Sequence, residues 1–334
     1  MRLIHTRLLN MTLLCLSISL SGQVSVDDVK NQEKTPSEDQ GKPIVPSAAL
    51  SDTPVKQAQS LVGKGSLDAA EQVIRQHLSA HPTSSEGHFL LGLILFKKNN
   101  PKESLSEFTE GAKHNGPSAF DLKIVALNYV LLGAYGDADR WLTRSLERNP
   151  QDAQAWYYLG RTKYSENRFE EAIGAFQQCL KLDPANVKAE DNLGLSYQGL
   201  GKTNEALTAF QTAIAWQGEK LNPWPMINLG GLLLDQNRTE EAIKYLSHAV
   251  EISPREPKAH EQLGKAYSRR DDLVKAQEEL EKAVALSPES APLHFMLGQL
   301  YRKRGMTEKA KSELERGAAL NAAREQHNSP LPPE

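Results

Sequence analysis

The chain has 334 residues, with 39 Lys plus Arg against 42 Asp plus Glu and a formal net charge of −3. That balance carries no global basic footprint, so nucleic acid, which is held through phosphate neutralisation, is not an expected partner. Two cysteines, Cys15 and Cys179, supply no disulfide framework, and few aromatics without long β-branched alternation point to an all-α fold.

In chain order, residues 1–22 read as a secretory signal peptide. Arg2 and Arg7 give a positive start, Leu8 to Leu20 an apolar run, and Ser19-Leu20-Ser21 the small-residue spacing of a cleavage site near Ser21 or Gly22. The run is shorter than the ~20 residues that span a bilayer and is interrupted by Asn10 and Thr12, so no stable membrane span is expected after cleavage. Cys15 follows Leu13-Leu14, not the small residues of a lipoprotein signal. An exported protein, periplasmic or secreted, is the expectation. Residues 23–50 are rich in Asp, Glu, Lys, Gln, Ser and Pro and read as a disordered linker. A second such tail is expected over 325–334.

Between them the chain repeats itself. In the stretch from Trp156 to Pro184, Trp156, Leu159 and Gly160 lie three and four residues apart on one helix face. Ala172 and Phe176 do the same on a second helix, and Pro184 ends the pair. Stepping by about 34 residues, the small first-helix position falls on Gly92, Ala126, Gly160, Gly194, Gly230, Gly264 and Gly298. The small second-helix position runs from Ala70 through Ser104, Ala138, Ala172, Ala206, Ala242 and Ala276 to Ala310. Four residues later stands a large partner, such as Phe108, Phe176, Phe210 or Leu280. Eight units follow: 51–84, 85–118, 119–152, 153–186, 187–222, 223–256, 257–290 and 291–324. The first is the least regular, with Pro54 at the start of its first helix and no Leu-Gly pair. The fifth is lengthened around Gly218 to Pro225, where two prolines around Trp224 should delay the next helix. The last carries Lys311 and Ala318 where inner units carry large apolar residues, as a terminal cap should.

Trp156-x-x-Leu159-Gly160, Tyr164, Ala172-x-x-x-Phe176 and Pro184 resemble the tetratricopeptide repeat, with Lys163 at a position the family usually gives to tyrosine. The resemblance implies an all-α, right-handed superhelical solenoid of about eight helix–turn–helix repeats, and a concave groove lined by fixed first-helix positions. Carried onto this sequence, those positions give Phe89, Phe96 and Phe120 at the N-terminal end, Tyr157, Arg161 and Tyr164 in the middle, and Lys258, Lys265, Arg269, Arg302 and Lys303 at the end. Leu93, Lys123, Leu127, Leu131 and Asp191 belong to the same set. Five cations with Glu261 as the one opposing carboxylate should repel one another unless an acidic segment joins them. The family's carboxylate clamp does not fit, because Lys123 is followed by Leu127 and Tyr158 and only Lys188 and Asn192 match its last part.

Sites for chemistry are sparse. Gly199-Leu-Gly201-Lys202-Thr203 imitates the end of a phosphate loop but follows a helix, so it reads as a turn. His77 and His81 share a helical spacing without a further ligand, and Cys179 reads as a buried small hydrophobe. Asn237-Arg238-Thr239 fits a glycosylation sequon. No catalytic set, metal or cofactor is expected. The reading is a monomeric, non-enzymatic scaffold that holds a protein or peptide in its groove; the alternative is a substrate-recruiting or assembly subunit of an extracytoplasmic enzyme complex.

Overall fold

The structure, a computed structural model, describes residues 53–219 and 221–328, with side chains to residue 325. The signal-peptide and linker expectations lie outside these residues. Among the described residues there are sixteen helices and no strand, arranged as eight consecutive antiparallel pairs. The pairs are α1 (Pro54–Gly63) with α2 (Leu67–Ala80), α3 (Ser85–Lys97) with α4 (Pro101–Ala112), α5 (Ala119–Leu131) with α6 (Tyr135–Arg148), and α7 (Ala153–Ser165) with α8 (Phe169–Leu182). Then come α9 (Val187–Gly199) with α10 (Thr203–Ala215), α11 (Trp224–Asp235) with α12 (Thr239–Ile252), α13 (Pro257–Arg269) with α14 (Leu273–Leu286), and α15 (Ala291–Lys303) with α16 (Thr307–Asn328).

The turn within each pair follows one rule. One residue per repeat takes a positive φ: Gly65, Asn99, Gly133, Asn167, Gly201, Asn237, Asp271 and Gly305. Glycine tolerates that conformation freely, and Asn and Asp tolerate it better than other side chains. The next amide donates back to the last turn of the first helix, as Arg168 does to Lys163 and Lys202 to Tyr197. The phosphate-loop imitation is therefore this turn. Between pairs, five second helices end two residues before Pro82, Pro150, Pro184, Pro254 or Pro288. Several first helices are then capped by a side chain, as Ser84 accepts from Gly87 N, Asp152 from Ala155 N and Asn186 from Ala189 N.

The phased glycines mark where the two helices of a pair touch. A Cβ on Gly160 would stand 2.6 Å from the Phe176 ring, one on Gly194 2.6 Å from Phe210, and one on Gly230 2.5 Å from Leu246. The large second-helix residue thus seats itself over the backbone of the first helix. Ala58, fully buried, holds this position in the first repeat, one step back from Gly92. The core runs as successive clusters along the array, with the first helices of repeats one to six also touching the next first helix, while second helices are held further apart. The first helices therefore line the inner side.

Three sequence expectations are corrected. Pro54 is no irregularity, because it occupies the first turn of α1, where its missing N–H has no intrahelical partner to lose. The helix at Trp224 does start late, but the prolines form its beginning and do not stand outside it; Pro223 caps α11 and Pro225 lies in its first turn. The extra length is taken up before them, where the Gln217 amide donates to Asn222 O at 3.1 Å and accepts from Asn222 N at 2.6 Å. Trp224 packs locally with Met226, Ile227, Ala249 and Ala259. Finally, α16 continues to Asn328, so the first part of the expected 325–334 tail is helical. Lys311 and Ala318 are exposed on that helix, consistent with a polar outer face.

Candidate partner-binding face

The eleven residues expected to line the groove fall into three environments. At the N-terminal end Phe96 is fully buried and belongs to the core. Phe89 is half-buried, stacked on Phe108 with centroids 6.0 Å apart and seated where Gly111 has no Cβ. Phe120 is half-buried under the Lys123 ammonium, 5.4 Å from its ring centre. Lys123 itself is buried and donates to Asp152 at 3.1 Å and Gln154 at 2.8 Å, a tie from the third repeat to the fourth. This stripe mainly packs against the chain's own helices, and Phe96 is removed from the candidate surface.

In the middle, the structure brings Tyr157, Arg161 and Tyr164 together, and buries them. Arg161 is 2% exposed and donates to the Tyr157 hydroxyl at 3.0 Å, with its guanidinium 5.8 Å from the Tyr157 ring centre. Asp191, on the next first helix, accepts from Asn228 Nδ2 at 3.0 and 3.1 Å across the fifth-to-sixth repeat junction. Burial pushes the Asp191 carboxyl up to about 7, against the pull of Asn228 and the Arg161 charge. Burial likewise raises Tyr164, which feels both Arg161 and Asp191. These groove positions are occupied by the molecule's own side chains, so Tyr157 and Arg161 are buried and do not offer a surface to a ligand.

The last two repeats differ. Lys258 and Lys265 both clasp Glu261, at 3.0 and 2.6 Å. Burial would raise Glu261, but the two ammoniums outweigh it and hold the carboxyl below its ordinary value. Arg269 donates to the Leu234 carbonyl, and Lys303 pairs with Asp271 at 2.8 Å. Arg302 is exposed and makes no ion pair among the described residues. The five cations thus do not stand as one mutually repelling set; each but Arg302 is already answered. What remains open is a surface of Arg269, Arg302 and Lys303.

A recurring device was missed in the sequence. His88 meets Glu107 at 2.7 Å through Nδ1 and the Pro82 carbonyl at 2.9 Å through Nε2. His260 does the same with Glu279 and Pro254, at 2.5 and 3.0 Å, and His294 with Glu313 and Pro288, at 2.6 and 2.9 Å. Each ring fastens the end of the preceding repeat to the second helix of its own. Trp156 reaches the Pro150 carbonyl from the same position, at 2.9 Å. The available signal was a histidine six residues after the proline with a glutamate nineteen after it, visible only across repeats. Cys179 is buried, and burial pushes its thiol up to about 12, so it is unreactive in the folded chain.

Models of the tetratricopeptide repeat match residues 55–120, 153–186, 187–255 and 267–328, well over half of the chain. The chain belongs to the tetratricopeptide repeat family. A tetratricopeptide repeat-containing protein of Caenorhabditis elegans, trd-1, is 25% identical over 57% of this chain. The peroxisomal targeting signal receptor of Kluyveromyces lactis is 32% identical over 30% of it. The aligned parts amount to only 24% and 17% of those proteins' own lengths. Among solved structures, the APC/C hetero-tetramer Cut9–Hcn1 matches 81% of this chain and 53% of its own with a TM-score of 0.59 and 18% identity. That likeness is one of fold.

Proposed function

We propose that this tetratricopeptide protein is a scaffold without chemistry of its own, holding a protein or peptide segment against the inner face of its last repeats. The observation that carries the reading is the contrast along that face. The middle positions are filled by the chain's own polar network, whereas Arg269, Arg302 and Lys303 reach solvent from consecutive first helices. An exposed cationic row on a concave wall suits an acidic segment, since complementary charge steers association and fixes register. A relative named as a receptor for a targeting signal supports peptide recognition. Export from the cytoplasm belongs to the same proposal and rests on the order of charge, apolar run and small residues in the first 22 positions.

The test uses a fluorescein-labelled acidic peptide spanning residues 23–50, which contains Ser37-Glu38-Asp39, with binding read by anisotropy. Arg269→Glu with Arg302→Glu should weaken it about tenfold, and raising salt from about 0.05 to about 0.5 M should weaken the unmodified protein similarly. Affinity indifferent to both would reject the cationic row and favour the apolar stripe around Phe89 and Phe120. For export, N-terminal sequencing of the native protein should begin near Ser21 or Gly22; an intact Met1 on cytoplasmic protein would overturn it.

A further inference from the structure

The fifth repeat lacks the latch and puts no large apolar pair in its place. The first-helix position that carries His88, Trp156, His260 and His294 carries Glu190 in the fifth repeat, and the second-helix position of Glu107, Glu279 and Glu313 carries Ala209. From the second repeat onward, every other pair has at least one large member: His with Glu, Leu122 with Trp141, Trp156 with Ala175, Met226 with Tyr245. A glutamate and an alanine cannot fill that space. A cavity of about 380 Å³ opens there, lined by Glu190, Leu193 and Tyr197 from α9 and by Asn204, Glu205, Thr208 and Ala209 from α10. None of these stands at an inner-face groove position.

Glu190 is the decisive group. It is 9% exposed, yet its side chain makes no hydrogen bond or ion pair among the described residues. A carboxylate cannot replace the histidine or indole N–H that elsewhere donates to the preceding proline carbonyl, because it has only acceptors. Burial alone acts on it, raising its carboxyl above the ordinary value. Burying an ionised group without a partner is unfavourable, so a ligand that brings a charged donor recovers interaction that the free protein lacks. Glu205, Asn204 and the Thr208 hydroxyl oxygen add acceptors at the rim, while Leu193, Ala209 and the Tyr197 ring offer apolar wall. That combination, a carboxylate floor with an apolar flank, matches a cation on an aliphatic stem. The volume lies at the lower end of the roughly 300–1,000 Å³ of ligand pockets, suited to one side chain.

We infer that the cavity between α9 and α10 is a binding site for a basic side chain, Arg or Lys, presented by a peptide segment of a partner. The site is separate from the inner face, so its failure would leave the groove reading untouched.

Methyl NMR on the full chain tests it, following the Leu193 and Ala209 methyls on titration with acetyl-Gly-Arg-Gly-amide and its Lys and Gln counterparts. The Arg and Lys peptides should shift these methyls saturably, the Gln peptide about tenfold more weakly. Glu190→Gln should weaken the Arg peptide to the same degree. Glu190→His with Ala209→Glu installs the pair that three other repeats already use, so the fold should persist while binding is lost. A Gln peptide that binds as well as the Arg peptide, or a double variant that still binds, overturns the site, as does an absence of shift with all three peptides. Butylguanidine binding as tightly as the Arg peptide would overturn the peptide source in favour of a small organic cation.

Discussion

The middle repeats and the last two treat the polar residues of their first helices in opposite ways. Tyr157, Arg161 and Asp191 are at most 5% exposed, with Arg161 donating to Tyr157 and Asp191 accepting from Asn228, whereas Arg269, Arg302 and Lys303, about one turn further along their own first helices, stand in solvent. A position rule gives the direction in which a side chain points, not whether the next repeat supplies a partner for it. Where the neighbour offers Asn228, the charge is drawn into the structure; where it offers only the Leu234 carbonyl to Arg269 or Asp271 to Lys303, the side chain stays at the surface.

The contrast is broken most strongly by damaging one region alone. Ala206→Trp forces an indole into a fully buried contact of the fifth repeat, at a cost of about 3 kcal/mol or more. Because each repeat touches only its neighbours, hydrogen exchange should accelerate around Gly194 to Ile214 while α14 to α16 keep their protection. Uniform loosening would contradict the division into regions.

A smaller effect separates the two by pH. Asp191 titrates near 7 in the fold and near 3.9 unfolded, so the fold holds its proton more tightly. Stability therefore rises as pH falls through 7 and levels off towards the unfolded value, by about 2–3 kcal/mol between about pH 8 and about pH 5. Read locally by exchange at α9 and α11, that gain should vanish in Asp191→Asn, while the last two repeats are indifferent to the substitution. A gain that survives would assign it to another group.

Next in size is the histidine latch of the second repeat. Burial depresses His88, but the bonds to Glu107 and the Pro82 carbonyl, with the charges of Glu107 and Glu110, outweigh it and raise the ring above its ordinary value. Its contribution is present in full below the unfolded value and is lost as pH rises through the folded one. Glu107→Gln should remove about 1–2 kcal/mol and the accompanying pH slope in α3 and α4; an unchanged slope would show that the latch does not titrate. The smallest effect is at Glu261, where Glu261→Gln releases Lys258 and Lys265. Stability should change by less than about 1 kcal/mol, while affinity for the acidic peptide rises several-fold. Unchanged affinity would exclude both lysines from the contact.

Much of this architecture was legible because stacking imposes a period. Gly92 to Gly298 and Ala70 to Ala310 could be read as contact points since only small residues survive where helices touch, and the same step reaches Ala58. Burial of Tyr157 and Phe96 was not legible, because it depends on the size and polarity of side chains one repeat away. The His–Glu–Pro latch went unread for a related reason: its members lie six and nineteen residues apart on three different elements, a spacing that no single-helix pattern contains. The extension of α16 escaped because Asn321 to Gln326 keeps helix-forming residues after the apolar stripe has ended.

The ties between repeats also set how the chain reaches this state. Lys163 to Asp139 spans 24 residues and Asn228 to Asp191 spans 37, so a hairpin needs little more than the next hairpin to complete its bonds. Closing such short loops costs little entropy, and local contacts of this kind go with rapid folding. Synthesised or threaded through a pore from its N-terminus, the array can be assembled in the order in which it emerges, with no moment at which distant ends must find each other.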